Sequence, residues 1–364
     1  MCFERARSAA PGWRRGASRA RSIRRGIARS LVLLALGCSG HGRTPLVVYS
    51  PHGRDLLTLC ASAFQALHPD VVVRWLDMGS QEVYDRVRSE QANPQADVWF
   101  GGPDAIFARA AADSLLAAYR PSWAPAVGPL GAGAGDRYFA AYLTPAVIVY
   151  AERALAPAQA PQDWDDLLAP QWKGKILIRD PLASGTMRAV FGLVIERGLA
   201  ATGDTAAGFQ WLRRLDAQTA DYVLNGTLLD EKLVRQEALV TVWDLPDILL
   251  SRHEGLPLGY VFPRSGTPVI EDAIAIVRGA RHPREAEEFV EWVGTRGAQL
   301  LAAREAYRLP ARQDLPPDSL PGWAREVETA LRPATMDWAL LAEHGDAWMR
   351  YWDQHVRGQG EGGR

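Results

Sequence analysis

A strand that ends in a small polar turn and runs straight into a helix constrains the fold of this chain most. Residues 46–49 are apolar with strand character, and residues 50–53 form the turn Ser-Pro-His-Gly. The next segment repeats apolar side chains at the spacing of one buried helical face, at Leu56, Leu59, Cys60, Ala63, Phe64 and Leu67. A helix that starts at such a turn points unpaired N–H groups and the positive end of its dipole at one place. In α/β sheets, this place lies at the carboxyl ends of the strands, which is where ligands bind.

Strand and helix patterns alternate along most of the 364 residues. Strands at residues 71–76 and 96–100 also end in small polar turns that lead into helices, and three such units in a row predict a parallel, doubly wound α/β sheet. The apolar stretch 138–150 is interrupted by Pro145, which is awkward in a central strand, so it is interpreted as a crossing between two lobes. A second alternating set follows, and residues 263–268 are interpreted as the return crossing.

Residues 1–37 are predicted to be a signal peptide. They hold nine arginines against one glutamate, a charge of +8, so the chain's net −1 leaves −9 on the remainder. Basic residues precede the apolar run 31–36, which is too short to span a bilayer. Because the positive charge belongs to this leader and the body is acidic, the composition argues against nucleic acid as a partner.

The apolar run ends at Gly37 and Cys38, and residues 35–38 resemble the cleavage box of bacterial lipoproteins. We therefore expect Cys38 to carry a lipid that anchors the protein to a membrane through a tether over residues 38–45. Export without a lipid is the alternative. Only Cys60 would remain in the mature domain, so neither a disulfide framework nor a cysteine-based metal site is expected.

Five segments, taken in order, resemble the type II periplasmic solute-binding proteins of ABC importers, most closely the ferric-ion-binding branch and its organic-ligand relatives. The segments are residues 48–51, 94–102, 172–176, 180–186 and 261–268. The resemblance implies two doubly wound α/β lobes joined by two crossover segments, with the ligand in the cleft between them. It places residues 46–142 and 264–364 in the first lobe and residues 143–263 in the second.

The same resemblance implies an exported monomer without enzymatic activity or cofactor, in the periplasm or at the cell surface. Its partners would be the permease and ATPase subunits of an importer, a small ligand, and the membrane through the lipid at Cys38. The chain shows no nucleophile elbow, no zinc-protease helix and no phosphate loop, so a secreted hydrolase is the least favoured alternative.

The chain departs from the ferric branch at the metal ligands. His52 lies one position earlier than the family's histidine, Gly101 and Gly102 stand where a glutamate belongs, and Trp243 and Asp244 stand where a tyrosine pair belongs. Ferric ion needs anionic oxygen ligands, and one neutral histidine with one carboxylate is too few. No metal site is therefore expected.

An anion site is expected at Ser184, Gly185 and Thr186, where a hydroxyl, free N–H groups and a helix dipole would favour a negative oxygen. The matching turn of the ferric branch holds a phosphate-like anion. The plain structural alternative is that Ser184 or Thr186 caps its own helix, and the two roles are compatible.

Trp243 and Asp244 are expected to set the identity of the ligand, since a tryptophan offers a flat apolar surface and a carboxylate accepts from hydroxyl or ammonium groups. Core packing and helix capping are the alternatives for this pair. The remaining candidates each have an ordinary structural role as the alternative: Ser50, His52, Ser80, Gln81, Gly101, Gly102, Thr144 and Asn225.

These features predict the substrate-binding lipoprotein of an ABC import system. Its preferred ligand is a small anionic organic solute, either phosphorylated or a phosphonate. A carboxylate or polyamine solute, and ferric ion, are the alternatives.

Overall fold

The computed structural model describes residues 42–128 and 131–358. The predicted signal peptide, Cys38 and the first part of the predicted tether lie outside the described residues. Within the described ranges, no helix combines the length and apolar character needed to cross a membrane.

The described residues form a mixed α/β fold with ten strands and eleven α-helices. The strands are β1 (Thr44–Ser50), β2 (Val71–Asp77), β3 (Val98–Pro103), β4 (Phe139–Ala151), β5 (Ile176–Arg179), β6 (Thr219–Val223), β7 (Val240–Asp244), β8 (Leu258–Val261), β9 (Val269–Ile276) and β10 (Leu309–Pro310). The helices are α1 (Arg54–Leu67), α2 (Ser80–Ser89), α3 (Asp104–Ala112), α4 (Gly185–Thr202), α5 (Ala206–Asp216), α6 (Gly226–Val234), α7 (Leu245–His253), α8 (Pro283–Val293), α9 (Arg296–Glu305), α10 (Gly322–Ala330) and α11 (Trp338–His355).

The three predicted strand–turn–helix units are confirmed as β1–α1, β2–α2 and β3–α3. β1 pairs in parallel with β2 on one side and with β3 on the other. β5 likewise pairs in parallel with β6 and β7, so the second set repeats the arrangement. The turns after these parallel strands consequently come together at the carboxyl ends of the strands.

β4 links the two sets of strands. The strand order is β2-β1-β3-β9-β4-β7-β5-β6, with β8 and β10 also paired to β4. The first half of β4 pairs with β9 and its second half pairs with β7 and β8. Pro145 is the last residue opposite β9, and Ala146 is the first opposite β7. The missing N–H of Pro145 therefore falls where the strand changes partners, which explains how a proline is tolerated there.

The hydrophobic core is divided in the same way. One cluster packs on the first set of strands around Phe64, Phe100 and Phe289, and another packs on the second set around Phe191 and Trp352. Trp352 belongs to α11, so this C-terminal helix contributes to the core of the second set. The exact lobe boundaries stay a prediction.

Candidate ligand-binding cleft

A cavity of about 1030 Å³ lies where the turns after β1, β2 and β3 face those after β5, β6 and β7. Ten of the thirteen predicted site residues line it: His52, Ser80, Gly102, Thr144, Ser184, Gly185, Thr186, Asn225, Trp243 and Asp244. The fold thus brings together residues that are far apart in the chain. Which of them touch a ligand stays a prediction.

Ser50, Gln81 and Gly101 do not line this cavity. The Ser50 hydroxyl is buried and accepts a hydrogen bond from the His52 backbone N–H at 3.2 Å. Gly101 lies against the His52 ring, where an added Cβ would be 2.4 Å from Nε2. The Gln81 side chain donates to Asp85 Oδ1 at 3.0 Å and lines a smaller neighbouring pocket. These residues support the wall of the cavity.

The predicted anion turn forms the start of α4. Ser184 caps the helix, since its hydroxyl oxygen accepts from the Met187 backbone N–H at 3.2 Å. The Thr186 hydroxyl donates to Asp244 Oδ1 at 2.6 Å. The first N–H groups of a helix have no carbonyl partner within it, so they remain suited to an anion. Ser184 therefore caps its own helix, and this cap is compatible with binding an anion at the same turn.

The two sides of the cavity are in close contact at this turn. A Cβ added to Gly185 would lie 2.5 Å from Pro103 Cδ, in the turn after β3. The Gln81 backbone N–H donates to the Ala183 carbonyl at 3.4 Å, and a Cβ on Gly79 would lie 2.8 Å from the same oxygen. Only glycine at positions 79 and 185 permits this approach.

Asn225 and Trp243 stand on the wall formed by the second set of strands. The Asn225 side chain caps α6 by accepting from the Leu228 backbone N–H at 2.9 Å. Trp243 is buried in the core cluster of β4 and β7, and part of its ring reaches the cavity. Asn225 therefore caps a helix and Trp243 packs in the core, as their structural alternatives stated, and both residues also line the cavity.

Asp272 is an important cavity residue that the sequence did not indicate. Its Oδ1 accepts from the Gly102 backbone N–H at 3.0 Å, and its Oδ2 accepts from the Thr144 hydroxyl. The Gly102 N–H and the Thr144 hydroxyl are thus already engaged. Burial raises the pKa of the Asp272 carboxyl group. Asp272 lies within β9, and nothing local to an antiparallel strand marks one aspartate as part of a site.

Arg179 is the second residue that was missed. It is the last residue of β5 and is only 8% exposed, yet its Nε and Nη1 have no hydrogen-bond partner. Its guanidinium carbon lies 5.9 Å from the centroid of the Trp243 ring. Burial lowers the pKa of this guanidinium. A signal was available, because Arg179 ends a strand and begins the connection, through residues 180–183, to the predicted anion turn at Ser184.

Arg308 and His52 form a buried polar contact on the opposite wall. Arg308 Nη2 donates to the His52 carbonyl at 3.2 Å and to Asp247 Oδ1 at 2.9 Å, while its Nε has no partner. Burial, reinforced by the charge of Arg308, lowers the pKa of His52 well below its usual range. His52 is therefore neutral at pH 7 and can offer a ligand only a neutral hydrogen bond.

The cavity is richer in carboxylates than in guanidinium groups. Burial is the main cause, and the negative charge of nearby Asp247 the second, that raises the pKa of Asp244 to about 8. Nine acidic residues line the cavity against four arginines: Asp55, Asp77, Glu82, Asp230, Glu231, Asp244, Asp247, Glu254 and Asp272 against Arg54, Arg179, Arg235 and Arg308. This acidic excess was not predicted. Across residues 42–128 and 131–358, no group of three or more His, Cys, Asp or Glu side chains is arranged to hold a metal ion.

An α/β fold whose two sets of strands share one strand, with a polar cleft between them, defines the class of two-lobed periplasmic binding proteins. The model of the bacterial extracellular solute-binding protein family matches residues 60–330, and this chain belongs to that family. The family consists of non-enzymatic solute-binding subunits of ABC importers, so the recognised family and the absence of enzymatic activity are confirmed.

Two curated relatives match most of the chain. The probable ABC transporter periplasmic-binding protein y4fP of Sinorhizobium fredii is 27% identical over 320 residues, which cover 86% of each chain. A putative 2-aminoethylphosphonate-binding periplasmic protein of Salmonella typhimurium is 27% identical over 255 residues, covering 68% of this chain and 72% of the relative.

Solved structures have the same fold. The periplasmic binding protein AfuA from Actinobacillus pleuropneumoniae, with exogenous fructose-6-phosphate bound, matches with a TM-score of 0.75 and 24% identity, covering 87% of this chain and 99% of AfuA. Iron-bound HitA from Pseudomonas aeruginosa matches with a TM-score of 0.70 and 21% identity, covering 84% of this chain and 98% of HitA. At these identities the likeness establishes the fold alone.

Proposed function

We propose that the solute captured by this ABC-importer subunit is a small organic molecule with a phosphoryl or phosphonate group. The observation that carries the proposal is that the α4 N-terminus at Ser184 lines the same cavity as Arg179, whose Nε and Nη1 have no hydrogen-bond partner. An anionic oxygen would receive hydrogen bonds from both and would benefit from the helix dipole. The names of the phosphonate-binding relative and of sugar-phosphate-bound AfuA support the same chemistry.

Ferric ion is the weaker candidate. Iron-bound HitA has the same fold. The resemblance to the ferric branch places Trp243 and Asp244 where that branch has its tyrosine pair. Among the described residues that line the cavity, none is a tyrosine. Fe³⁺ favours phenolate and carboxylate oxygens, so the lack of phenolates in this wall argues for an organic solute.

The protein's place in the cell follows from its family and its leader. Its family is periplasmic, and it works with permease and ATPase subunits. The basic leader and the short apolar run before Cys38 support a signal peptide over residues 1–37 and a lipid at Cys38. We include the lipid anchor and a monomeric state in the proposal, with the lobe boundaries predicted above.

Native mass spectrometry of protein purified without refolding tests the proposal directly, because a closed cleft can retain its ligand. A thermal-shift screen complements it, since a ligand at 100 times its Kd adds about 2.7 kcal/mol to the free energy of unfolding. We expect stabilisation by phosphorylated sugars or aminophosphonates and none by ferric citrate. Stabilisation by ferric citrate alone, with a coloured protein, would overturn the proposal.

A further inference from the structure

Building on the proposed function, we infer that the solute is a zwitterion. Its anionic group is bound by Arg179 and the α4 N-terminus, and its protonated amine is bound by Asp244 within the acidic part of the cavity. The inference depends on the charges around these two side chains and on which of their hydrogen-bonding positions are already used.

The Nε and Nη1 atoms of Arg179 have no hydrogen-bond partner in the protein. The neighbouring Asp180 is engaged elsewhere, because its Oδ2 accepts from Arg357 Nη2 at 2.7 Å and its Oδ1 accepts from the Leu182 N–H at 2.8 Å. Arg179 is only 8% exposed, and it lines the cavity. A buried charge without a hydrogen-bonded partner is costly, so a ligand anion at this position would be strongly stabilised.

Asp244 has the opposite requirement. Its Oδ1 accepts one hydrogen bond, from Thr186, whereas a carboxylate offers about four lone-pair positions. Asp247 and Asp272 add negative charge nearby. Two guanidinium groups act on these three carboxyl groups: Arg308, which contacts Asp247, and Arg179, whose charge interacts with that of Asp244. Burial raises the pKa of Asp244 to about 8, so this carboxyl group is mostly protonated in the ligand-free protein at pH 7. A ligand anion bound to Arg179 would offset that guanidinium, and Arg308 alone would then face Asp244, Asp247 and Asp272, which repel one another when all three are ionised.

A cationic group on the ligand would relieve this repulsion, and a hydroxyl group would not. A hydroxyl can donate a hydrogen bond to Asp244, but it supplies no positive charge to replace that of Arg179 once a ligand anion is bound there. An ammonium group donates and also supplies the missing charge. A ligand with only an anionic group would in turn be repelled by the acidic excess of the cavity. The charges therefore favour a ligand that carries both signs.

Isothermal titration calorimetry with matched ligands tests this inference. One series contains aminoalkylphosphonates with one to four methylene groups. The other contains alkylphosphonates in which a methyl group replaces the ammonium group. We expect the best aminoalkylphosphonate to bind at least tenfold more tightly than its methyl counterpart. The variant Asp244→Asn should lose most of that preference, and Glu328→Gln, which removes an exposed charge on α10 outside the cavity, should keep it.

Equal affinity for the two series, or an unchanged preference in Asp244→Asn, would overturn the zwitterion. In that case binding of alkylphosphonates or fructose 6-phosphate would leave the proposed function intact. If no phosphonate or phosphate binds, both proposals fail. Circular dichroism and the melting temperature of Asp244→Asn verify that the variant is folded. Arg179→Gln gives a second measurement, because it should weaken binding of both series together.

Discussion

The hydroxyl of Thr186 donates a hydrogen bond to Oδ1 of Asp244 at 2.6 Å. Thr186 lies in the first turn of α4, and Asp244 is the last residue of β7, directly before α7. The anion turn and the carboxylate expected to select the ligand are therefore joined in one hydrogen-bonded unit. A change at either residue should therefore alter the position of the other.

Ser184→Ala should reduce both stability and affinity. Loss of the helix cap should lower the free energy of unfolding by about 1 kcal/mol. Loss of the hydroxyl at an anion should weaken binding of a phosphonate by about 1–3 kcal/mol. The matched control is Thr295→Ala, which removes the equivalent cap of α9 outside the cavity. The control should lose stability alone, as measured by chemical denaturation and calorimetry, and equal loss of affinity in both variants would contradict the binding role.

Gly185→Ala should weaken ligand binding by hindering the approach of the two sides of the cavity. The new methyl group would lie 2.5 Å from Pro103 Cδ and 3.0 Å from the Ser80 hydroxyl oxygen. Gly297→Ala is the control, because an added Cβ there has no atom within 4 Å. Calorimetry with the best phosphonate compares the two variants. Native-like affinity in Gly185→Ala would show that this contact is not needed for binding.

The ligand-free protein should lose stability as the pH rises from 5 to 8.5. Burial raises the pKa of Asp244 to about 8, so the folded state binds this proton more tightly than the unfolded state. The contribution is complete at acid pH and disappears as the pH passes about 8. Burial also raises the pKa of Asp230 to about 6 and of Glu271 to about 7, with the same sign.

Asp244→Asn should therefore flatten the dependence of melting temperature on pH. Asp314→Asn is the control, since Arg312 and Arg296 hold the pKa of Asp314 below its usual range and it does not titrate in this window. An unchanged slope in Asp244→Asn, measured by differential scanning calorimetry, would show that Asp244 is ionised in the ligand-free protein throughout.

Asp346 of α11 is expected to stabilise the closed arrangement of the cleft. It forms ion pairs with Arg109 of α3 and with Arg188 of α4, the latter at 2.6 Å. These helices follow strands on opposite sides of the cavity. Asp346→Asn should increase the radius of gyration of the ligand-free protein in small-angle scattering, and added ligand should reduce it again. Glu343→Gln, an exposed change on the same helix, should have no effect on either value.

Cys38→Ser should move the protein from the membrane fraction to the soluble exported fraction. The expectation rests on the leader, since a thiol at this position is required for lipid attachment and a hydroxyl does not replace it. Cell fractionation followed by immunoblotting measures the partition. If the variant partitions like the native protein, the lipid anchor is wrong and the binding function is unaffected.

The sequence by itself determined the fold class and the edge of the sheet where the cavity forms. Each strand–turn–helix unit is local, and its apolar spacing reports directly which face is buried. The cap at Ser184 was also predictable, because a helix cap bonds to an N–H only three residues away. Ten predicted residues line one cavity, because several stand in turns at the ends of strands and others, including Trp243 and Asp244, were identified through the family resemblance.

Only the tertiary structure decided how the charges of the cavity are paired. Asp272 engages Gly102 and Thr144 from 170 and 128 residues away, and no local pattern records such a partnership. Arg179 Nε and Nη1 have no hydrogen-bond partner, while Asp180, the next residue in the chain, accepts from Arg357, which lies far along the chain. Hydrophobic periodicity specifies which face of an element is buried, whereas the partner of a buried charge depends on which elements the fold places opposite it.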